Sequence, residues 1–475
     1  MAFNTARTMS TSSNGGGSVR LSRRELEVAR LVAEGLTNRE IASRLFISER
    51  TVDGHLEHVR EKLSFNTRAQ IATWVTRGAD ETQPAVIPPV QIAARRGALR
   101  SISKRWWLTA SAVVLVVVEA VVVLQVIESQ GPTITTVAGS DPGAQLFPGG
   151  TFAGDGGLAR NAALSLPSDV AAAADGIYIA DYRNLRVRFV DRKTQHIQTV
   201  AGGGSSALTD NAVAVEVKIG FASNVAVDRA GHPYFLTNQD QVLQVWKVDS
   251  GRVSMVTSLP ASGNKPINYF PDPVGGLAIA GDGTIYISDR AGDSIWKFGA
   301  GILTQIAGNT GHYGYSGDNG PALTAVLDSP TALALDERRA YLYFADTGNN
   351  CVRRISLGSY VINRFAGSCT SFGNGGDGGR AVNATLSIPH GVAVSRSGIV
   401  FIADTGNYRL REVTSDGTIV ALAGTGQTGF FGDGVPAKQA VFGTPTSLAI
   451  DQSTGDLLVV DTLSQRVRAV LAVAR

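Results

Sequence analysis

Cysteine is almost absent: the 475 residues contain only Cys351 and Cys369, so one disulfide is the most this chain can form. Histidine is also scarce, at six, and His196, His232, His312 and His390 fall at no metal-ligand spacing. No calcium-loop pattern occurs. Nothing pairs a nucleophile with a base or clusters three histidines, so we expect no enzyme and no cofactor. An excess of one charge is lacking as well, with 43 Lys and Arg against 40 Asp and Glu. A net charge of +3 selects no partner by itself. Long apolar runs are missing except at one place, Trp106–Ile127, WWLTASAVVLVVVEAVVVLQVI.

That run satisfies the roughly 20 residues a bilayer requires. It divides a helical-reading sequence from a glycine-rich one that reads as strands. Arg95, Arg96, Arg100, Lys104 and Arg105 lie just upstream, whereas no Lys or Arg follows until Arg160. Positive residues stay in the cytoplasm, so the expectation is one transmembrane helix over 106–127 in the cytoplasmic membrane, with the N-terminus inside. The run starts too far into the chain, and is too long, for a cleaved signal. Glu119 within it would cost about 2.5–3.5 kcal/mol and would tend to face a partner.

Ahead of the run, residues 1–20 lack apolar periodicity and are expected to be a disordered leader. Residues 78–105, with Pro84, Pro88 and Pro89, are expected to be a flexible basic linker. Between them, Ser22 with Glu25, Thr37 with Glu40, and Thr67 with Gln70 form capping boxes that mark helix starts. Ser48 opens a further helix, with Val52, Leu56, Val59 and Leu63 at helical spacing. The two residues Phe46 and Ile47 join it to the preceding helix as in a helix-turn-helix.

The stretch LSRRELEVARLVAEGLTNREIASRLFISERTVDGHLEHVREKLSFNTRAQIATW resembles the LuxR-type helix-turn-helix of bacterial regulators, and residues 21–77 are expected to form that domain. Matching positions include Glu25, Gly35, Asn38, Ile41, Ser48, Thr51, Val52, His55, Lys62 and Arg68. The resemblance implies double-stranded DNA as partner, with Ser48–Leu63 in the major groove. The implied DNA-binding residues are Asn38, Arg39, Arg50, Thr51, Val52, Asp53, Gly54, His55, His58 and Lys62. Asp53 and Gly54 depart from the basic residue many members carry there, so sequence preference does not transfer. Only the leader precedes the head, which is therefore expected to take its input from beyond the apolar run or from a partner.

Beyond that run a unit of about 57 residues repeats, a length suited to a four-stranded propeller blade. Its copies are IYIADYRNLRVRFV, YFLTNQDQVLQVWKV, IYISDRAGDSIWKF, YLYFADTGNNCVRRI, VFIADTGNYRLREV and LLVVDTLSQRVRAV. Their register residues are Asp181, Asn238, Asp289, Asp346, Asp404 and Asp461. The pattern resembles NHL-repeat propellers, so residues 132–475 are expected to form an all-β six-bladed propeller. The whole chain is then multi-domain: a small all-α head, one membrane helix and the propeller.

Within a repeat, Asp181 with Arg186, Asp404 with Arg409 and Asp461 with Arg466 recur and read as structural ion pairs. TITTVAG, residues 133–139, matches the outer strands IQTVAGG, LTQIAGN, INRFAGS and IVALAGT. It is expected to complete the last blade and remove the open edge. The turn near Gly358 brings the flanking strands antiparallel, placing Cys351 and Cys369 within about 6 Å between Cα atoms, close enough for a disulfide. The loops GDGGLARNAAL, GDNGPALTAVL, GDGGRAVNATL and GDGVPAKQAVF read first as turns followed by short helical segments. Their Asp155, Asp318, Asp377 and Asp433, with His390 at the start of an inner strand, are the candidate ligand face.

These features point to a single-pass membrane-bound transcription regulator whose outside propeller senses a ligand or protein. Coupling is expected to run through a homodimer, because two linked heads bind one DNA site more tightly. A membrane-anchored propeller lyase or hydrolase, or a cell-envelope scaffold, is the alternative.

Overall fold

The computed structural model describes residues 23–33, 36–38, 41, 44, 52, 56, 59, 71 and 75 of the N-terminal part. It also describes 131–473 apart from 141–151, 240–241, 262–274 and 310–311. The chain divides into two compact units, Met1–Ser103 and Lys104–Arg475.

In the first unit, helix Arg23–Ala33 turns one apolar face inward. Val28, Ala29, Leu31 and Val32 on that face are buried with Ile41, Val52, Leu56, Val59 and Ile71. Val52, Leu56 and Val59 have helical backbone, and their spacing of four and three places them on one side. The leader 1–20, the linker 78–105 and the apolar run 106–127 lie outside the described residues. Among the described residues no helix is long and apolar enough to cross a membrane.

The second unit consists of six four-stranded antiparallel sheets. Blades 1 to 5 span 169–202, 222–258, 275–307, 330–366 and 392–423, with their strands in sequence order. Blade 6 contains Pro445–Asp451, Asp456–Asp461 and Arg466–Val470. Its outer strand is Ile134–Ala138, paired antiparallel so that Ile134 faces Val470 and Thr136 faces Arg468. This pairing gives blade 6 its fourth strand and covers the edge that Arg466–Val470 would otherwise leave open.

Strand chemistry follows position in the blade. Second strands such as Val400–Asp404 are buried throughout because a neighbouring blade covers each face, and so they read as continuous apolar runs. Outer strands such as Ile302–Ala307 begin by alternating exposed and half-buried residues, as one wet face requires, and end buried. The turn after Arg409–Val413 is built by Asp416, which accepts hydrogen bonds from the Thr414 hydroxyl and the Thr418 N–H, with Gly417 at φ +84°. Apolar clusters bridge adjacent blades around the ring. Phe401, Phe442 and Leu448, for example, join blades 5 and 6.

Candidate functional site

The six inner strands enclose a channel of about 280 Å³ lined along its length by Val170, Val225, Leu277, Leu333, Val392 and Leu448. Polarity concentrates where those strands begin, on one side of the ring. There the Asp169 carboxylate accepts hydrogen bonds from the Ser447 hydroxyl, the Val225 N–H at 2.9 Å and the Asn224 amide at 3.3 Å. The Asn224 carbonyl oxygen is buried and has no hydrogen-bond partner. Burial raises the Asp169 pKa to about 6, with those hydrogen bonds opposing the rise. This mouth is asymmetric: one titratable carboxylate and one unused amide oxygen sit among apolar walls. Such a group suits recognition of a hydrogen-bond donor or cation. Among the described residues no group of three His, Cys, Asp or Glu could hold a metal ion.

The loop carboxylates are committed elsewhere, which corrects their assignment to an open ligand face. Arg188 Nη2 lies 2.6 Å from Asp155, Arg353 Nη2 2.8 Å from Asp318, Arg411 Nη2 2.8 Å from Asp377 and Arg468 Nη2 3.2 Å from Asp433. Each arginine is buried, so the loop carboxylate offsets a cation that has left water. His390 is also buried, at 6% exposure, and its carbonyl accepts the Thr331 hydroxyl; Val392 and Ala393 line the channel in its place.

The same arginines correct the ion pairs inside the repeat. The ladder does set Asp181 opposite Arg186, Asp404 opposite Arg409 and Asp461 opposite Arg466. The carboxylates nevertheless bind the next arginine on the same face: Arg188 at 3.5 Å, Arg411 at 3.3 Å and Arg468 at 3.9 Å, with Asp346–Arg353 at 3.2 Å in blade 4. Arg186 stacks instead on Phe152, its Cζ 3.8 Å from the ring centroid, and Arg466 stacks on Phe430 at 4.0 Å. Arg409 donates to the Thr425 carbonyl at 3.0 Å. Asp181, Asp346, Asp404 and Asp461 are buried, and burial lifts each pKa to about 6 against the pull of its arginine.

Each arginine thus fastens the third strand of its blade to the loop entering that blade. A sequence signal for this existed. Arg188, Arg353, Arg411 and Arg468 stand seven residues after the register aspartate in the four blades that a Gly-Asp loop precedes. At the same ladder position blades 2 and 3 carry Val245 and Trp296. Short 3-10 segments follow all four loops, at Ala159–Asn161, Ala322–Thr324, Ala381–Asn383 and Ala437–Gln439. Gly317 in the second loop has φ +90°, and a Cβ there would come within 2.6 Å of the Ala325 Cα. Only glycine allows the loop to fold onto its helical turn. Cys351 and Cys369 are joined by a disulfide with Cα atoms 5.0 Å apart, between the first residue of Cys351–Ser356 and the bend beyond the paired outer strand.

In the head, Val52 is fully buried and belongs to the core rather than to the DNA contact surface. Its helical spacing with Leu56 and Val59 is the cause. Asn38 is described, half-buried and helical; Arg39, Arg50, Thr51, Asp53, Gly54, His55, His58 and Lys62 lie outside the described residues.

Comparison with known proteins agrees domain by domain. Residues 19–75 match the family described as bacterial regulatory proteins, luxR family, and residues 360–430 match the Teneurin NHL domain. The oxygen regulatory protein NreC of Staphylococcus carnosus is 39% identical over 57 residues, 12% of this chain and 26% of that protein. NHL repeat-containing protein 2 of Bos taurus is 23% identical over 298 residues, 54% of this chain and 40% of its own length. This chain spans less than half the length of these curated relatives. An auxiliary nutrient binding protein from Bacteroides ovatus has a TM-score of 0.51 at 17% identity, covering 72% of this chain and 76% of that one, and shares the fold. The protein therefore combines a LuxR-type helix-turn-helix DNA-binding domain with a six-bladed NHL-like β-propeller.

Proposed function

We propose that this protein is a single-pass bacterial transcription regulator of the cytoplasmic membrane, with its DNA-binding head inside and its propeller outside, where it senses a ligand or protein. The observation that carries this reading is the order of parts. A LuxR-type domain at 19–75 and a propeller beginning at Ile134 flank the chain's one bilayer-length apolar run, which has five basic residues on its head side. The regulatory family of the head favours a sensor over a membrane-anchored lyase or hydrolase. The asymmetric mouth at Asp169, Asn224 and Ser447 is the site we assign to the input. Output runs through a homodimer, since pairing two heads raises their effective concentration on one DNA site. Glu119 in the run is the residue whose desolvation would be relieved by such pairing.

Genome-wide recovery of DNA bound by the full chain, and by a chain lacking residues 140–475, tests both halves. We expect discrete enriched promoters whose occupancy or transcription changes when the propeller is removed. Absence of any enriched site would sink the regulator reading. Protease treatment of spheroplasts separately tests topology: a propeller protected from external protease would remove the membrane reading and leave the DNA reading standing.

A further inference from the structure

We propose that a cleft between blades 4 and 5 of the propeller is a binding site for a phosphate group, carried by a soluble molecule or a lipid headgroup. The cleft, of about 340 Å³, lies where the strands of both blades turn, and four arginines line it: Arg339, Arg354, Arg364 and Arg380. Arg339 is neutralised by Asp336 at 2.9 Å and also donates to the Ser397 carbonyl. The other three form no ion pair among the described residues. The one acid in the lining, Asp416, is held by the Thr414 and Thr418 hydroxyls and the Thr418 N–H.

Arg354 is set in place by aromatic rings. Its Cζ lies 4.6 Å from the Tyr341 centroid and 5.5 Å from that of Phe365, which packs edge-on against Tyr343 at 4.8 Å. The Arg354 Nε is buried and has no hydrogen-bond partner. Arg364 gives Nη1 to the Ser368 carbonyl at 2.9 Å, and Arg380 is exposed. Arg354 and Arg380 bring two guanidinium groups to the cleft, whereas Arg364, opposite Arg353 in the ladder, turns to the other face of the outer strand; an oxyanion can accept from both of the former. A phosphate, which carries more charge than a carboxylate and has oxygens for both guanidinium groups, suits these two arginines beside the single acid Asp416.

The blade architecture does not require this arrangement. Arg354 faces Tyr343 across the ladder, and the matching positions of the other blades hold Phe189, Trp246, Lys297, Glu412 and Ala469. The buried arginines recur in four blades, as architecture demands, whereas an arginine at the Arg354 position occurs in blade 4 alone. It opens at the end of the ring where the strand Ile134–Ala138 enters, because Ile134 occupies in blade 6 the ladder position that Ile362 occupies in blade 4. A headgroup source follows if the membrane reading above holds, while the soluble source is independent of it.

The test is calorimetric titration of inorganic pyrophosphate into the full-length protein in a non-ionic detergent. We expect saturable binding, weakened roughly tenfold or more by Arg354→Gln and by Arg380→Gln. Arg229→Gln, at an exposed position outside the cleft, should leave binding unchanged. Arg380 makes no side-chain hydrogen bond among the described residues, so its variant should melt with the wild type and keep the test free of folding loss. Adding phosphatidylglycerol to the micelles distinguishes the sources: competition with pyrophosphate assigns the headgroup, and its absence assigns a soluble phosphate. Lack of saturable pyrophosphate binding, full binding by both cleft variants, or equal affinity for citrate would overturn the proposal.

Discussion

Replacing Arg353 by Met should destabilise the propeller by about 3–5 kcal/mol, the usual cost of removing one partner from a buried ion pair. The size follows from what the guanidinium does. Its Nε and Nη2 donate to Asp318 at 3.1 and 2.8 Å, Nη1 to the Val326 carbonyl and Asp346 at 3.0 and 3.2 Å, and Nη2 also to the Ser316 carbonyl at 2.9 Å. Methionine fills much of the volume but leaves Asp346 buried with only the Asp328 N–H and the Asn349 amide as donors. Arg468→Met should cost less, because its Asp461 contact is already 3.9 Å and one Asp461 oxygen has no hydrogen-bond partner. The position that holds Asn184, Asn349 and Asn407 in other blades is Ser464 in blade 6, which explains the looser carboxylate. Urea unfolding of the full chain, followed by tryptophan fluorescence, measures both. In the Arg353→Met background, Asp346→Asn should recover at least half of the loss by removing the uncompensated charge. A loss below about 0.5 kcal/mol for Arg353→Met, or a larger loss for Arg468→Met, would refute this account of the network.

Further outcomes can be measured in the same way. Asp169, with its pKa raised from 3.8 to about 6, contributes stability that is fully present below pH 3.8 and lost as pH rises through about 6. Asp169→Asn should therefore flatten the pH dependence of unfolding between pH 4 and 7 by up to about 3 kcal/mol; an unchanged slope would contradict the buried carboxylate. Gly317→Ala should cost about 1–3 kcal/mol in the same urea assay, since it places a Cβ at positive φ against the Ala325 backbone. Cys351→Ser should cost about 2–4 kcal/mol, and thiol labelling of the oxidised wild type should find neither cysteine reactive. His55→Ala should weaken binding of the full chain to DNA of every sequence by a similar factor, since phosphate contacts set register rather than sequence; unchanged affinity would argue against that helix as the DNA-contacting one.

Much of the propeller could be read from the sequence because its rules are local and repeated. The apolar run that ends at Asp404, the SDG turn and the AG ending of five of the six outer strands define four strands per blade. The match of residues 133–139 to that ending identifies the strand that closes the ring. The disulfide was visible in the turn that brings Cys351 and Cys369 together. The ion-pair partner was not, because Arg186 and Arg188 point to the same face and spacing alone does not choose between them. Phe152, distant in sequence, lies under both guanidinium groups and closer to Arg186, at 3.8 Å against 4.9 Å for Arg188. The same distance misled the reading of Asp155, Asp318, Asp377 and Asp433, whose arginine partners lie 33 to 35 residues on, in the third strand of the blade each loop enters. The asymmetric groups, Asp169 with Asn224 and Ser447 at the channel mouth, come from three different blades, and no repeat pattern marks them.

The closing strand also has a consequence in time. Ile134–Ala138 is synthesised before any other strand of the ring, yet its partner Arg466–Val470 is the last to be made. At synthesis rates of about 5–20 residues per second, the first strand waits on the order of half a minute with its hydrogen-bonding edge unpaired. The oldest part of the propeller is thus the last to find its place, and a ribosome that stops early releases a ring with its first strand still open to other chains.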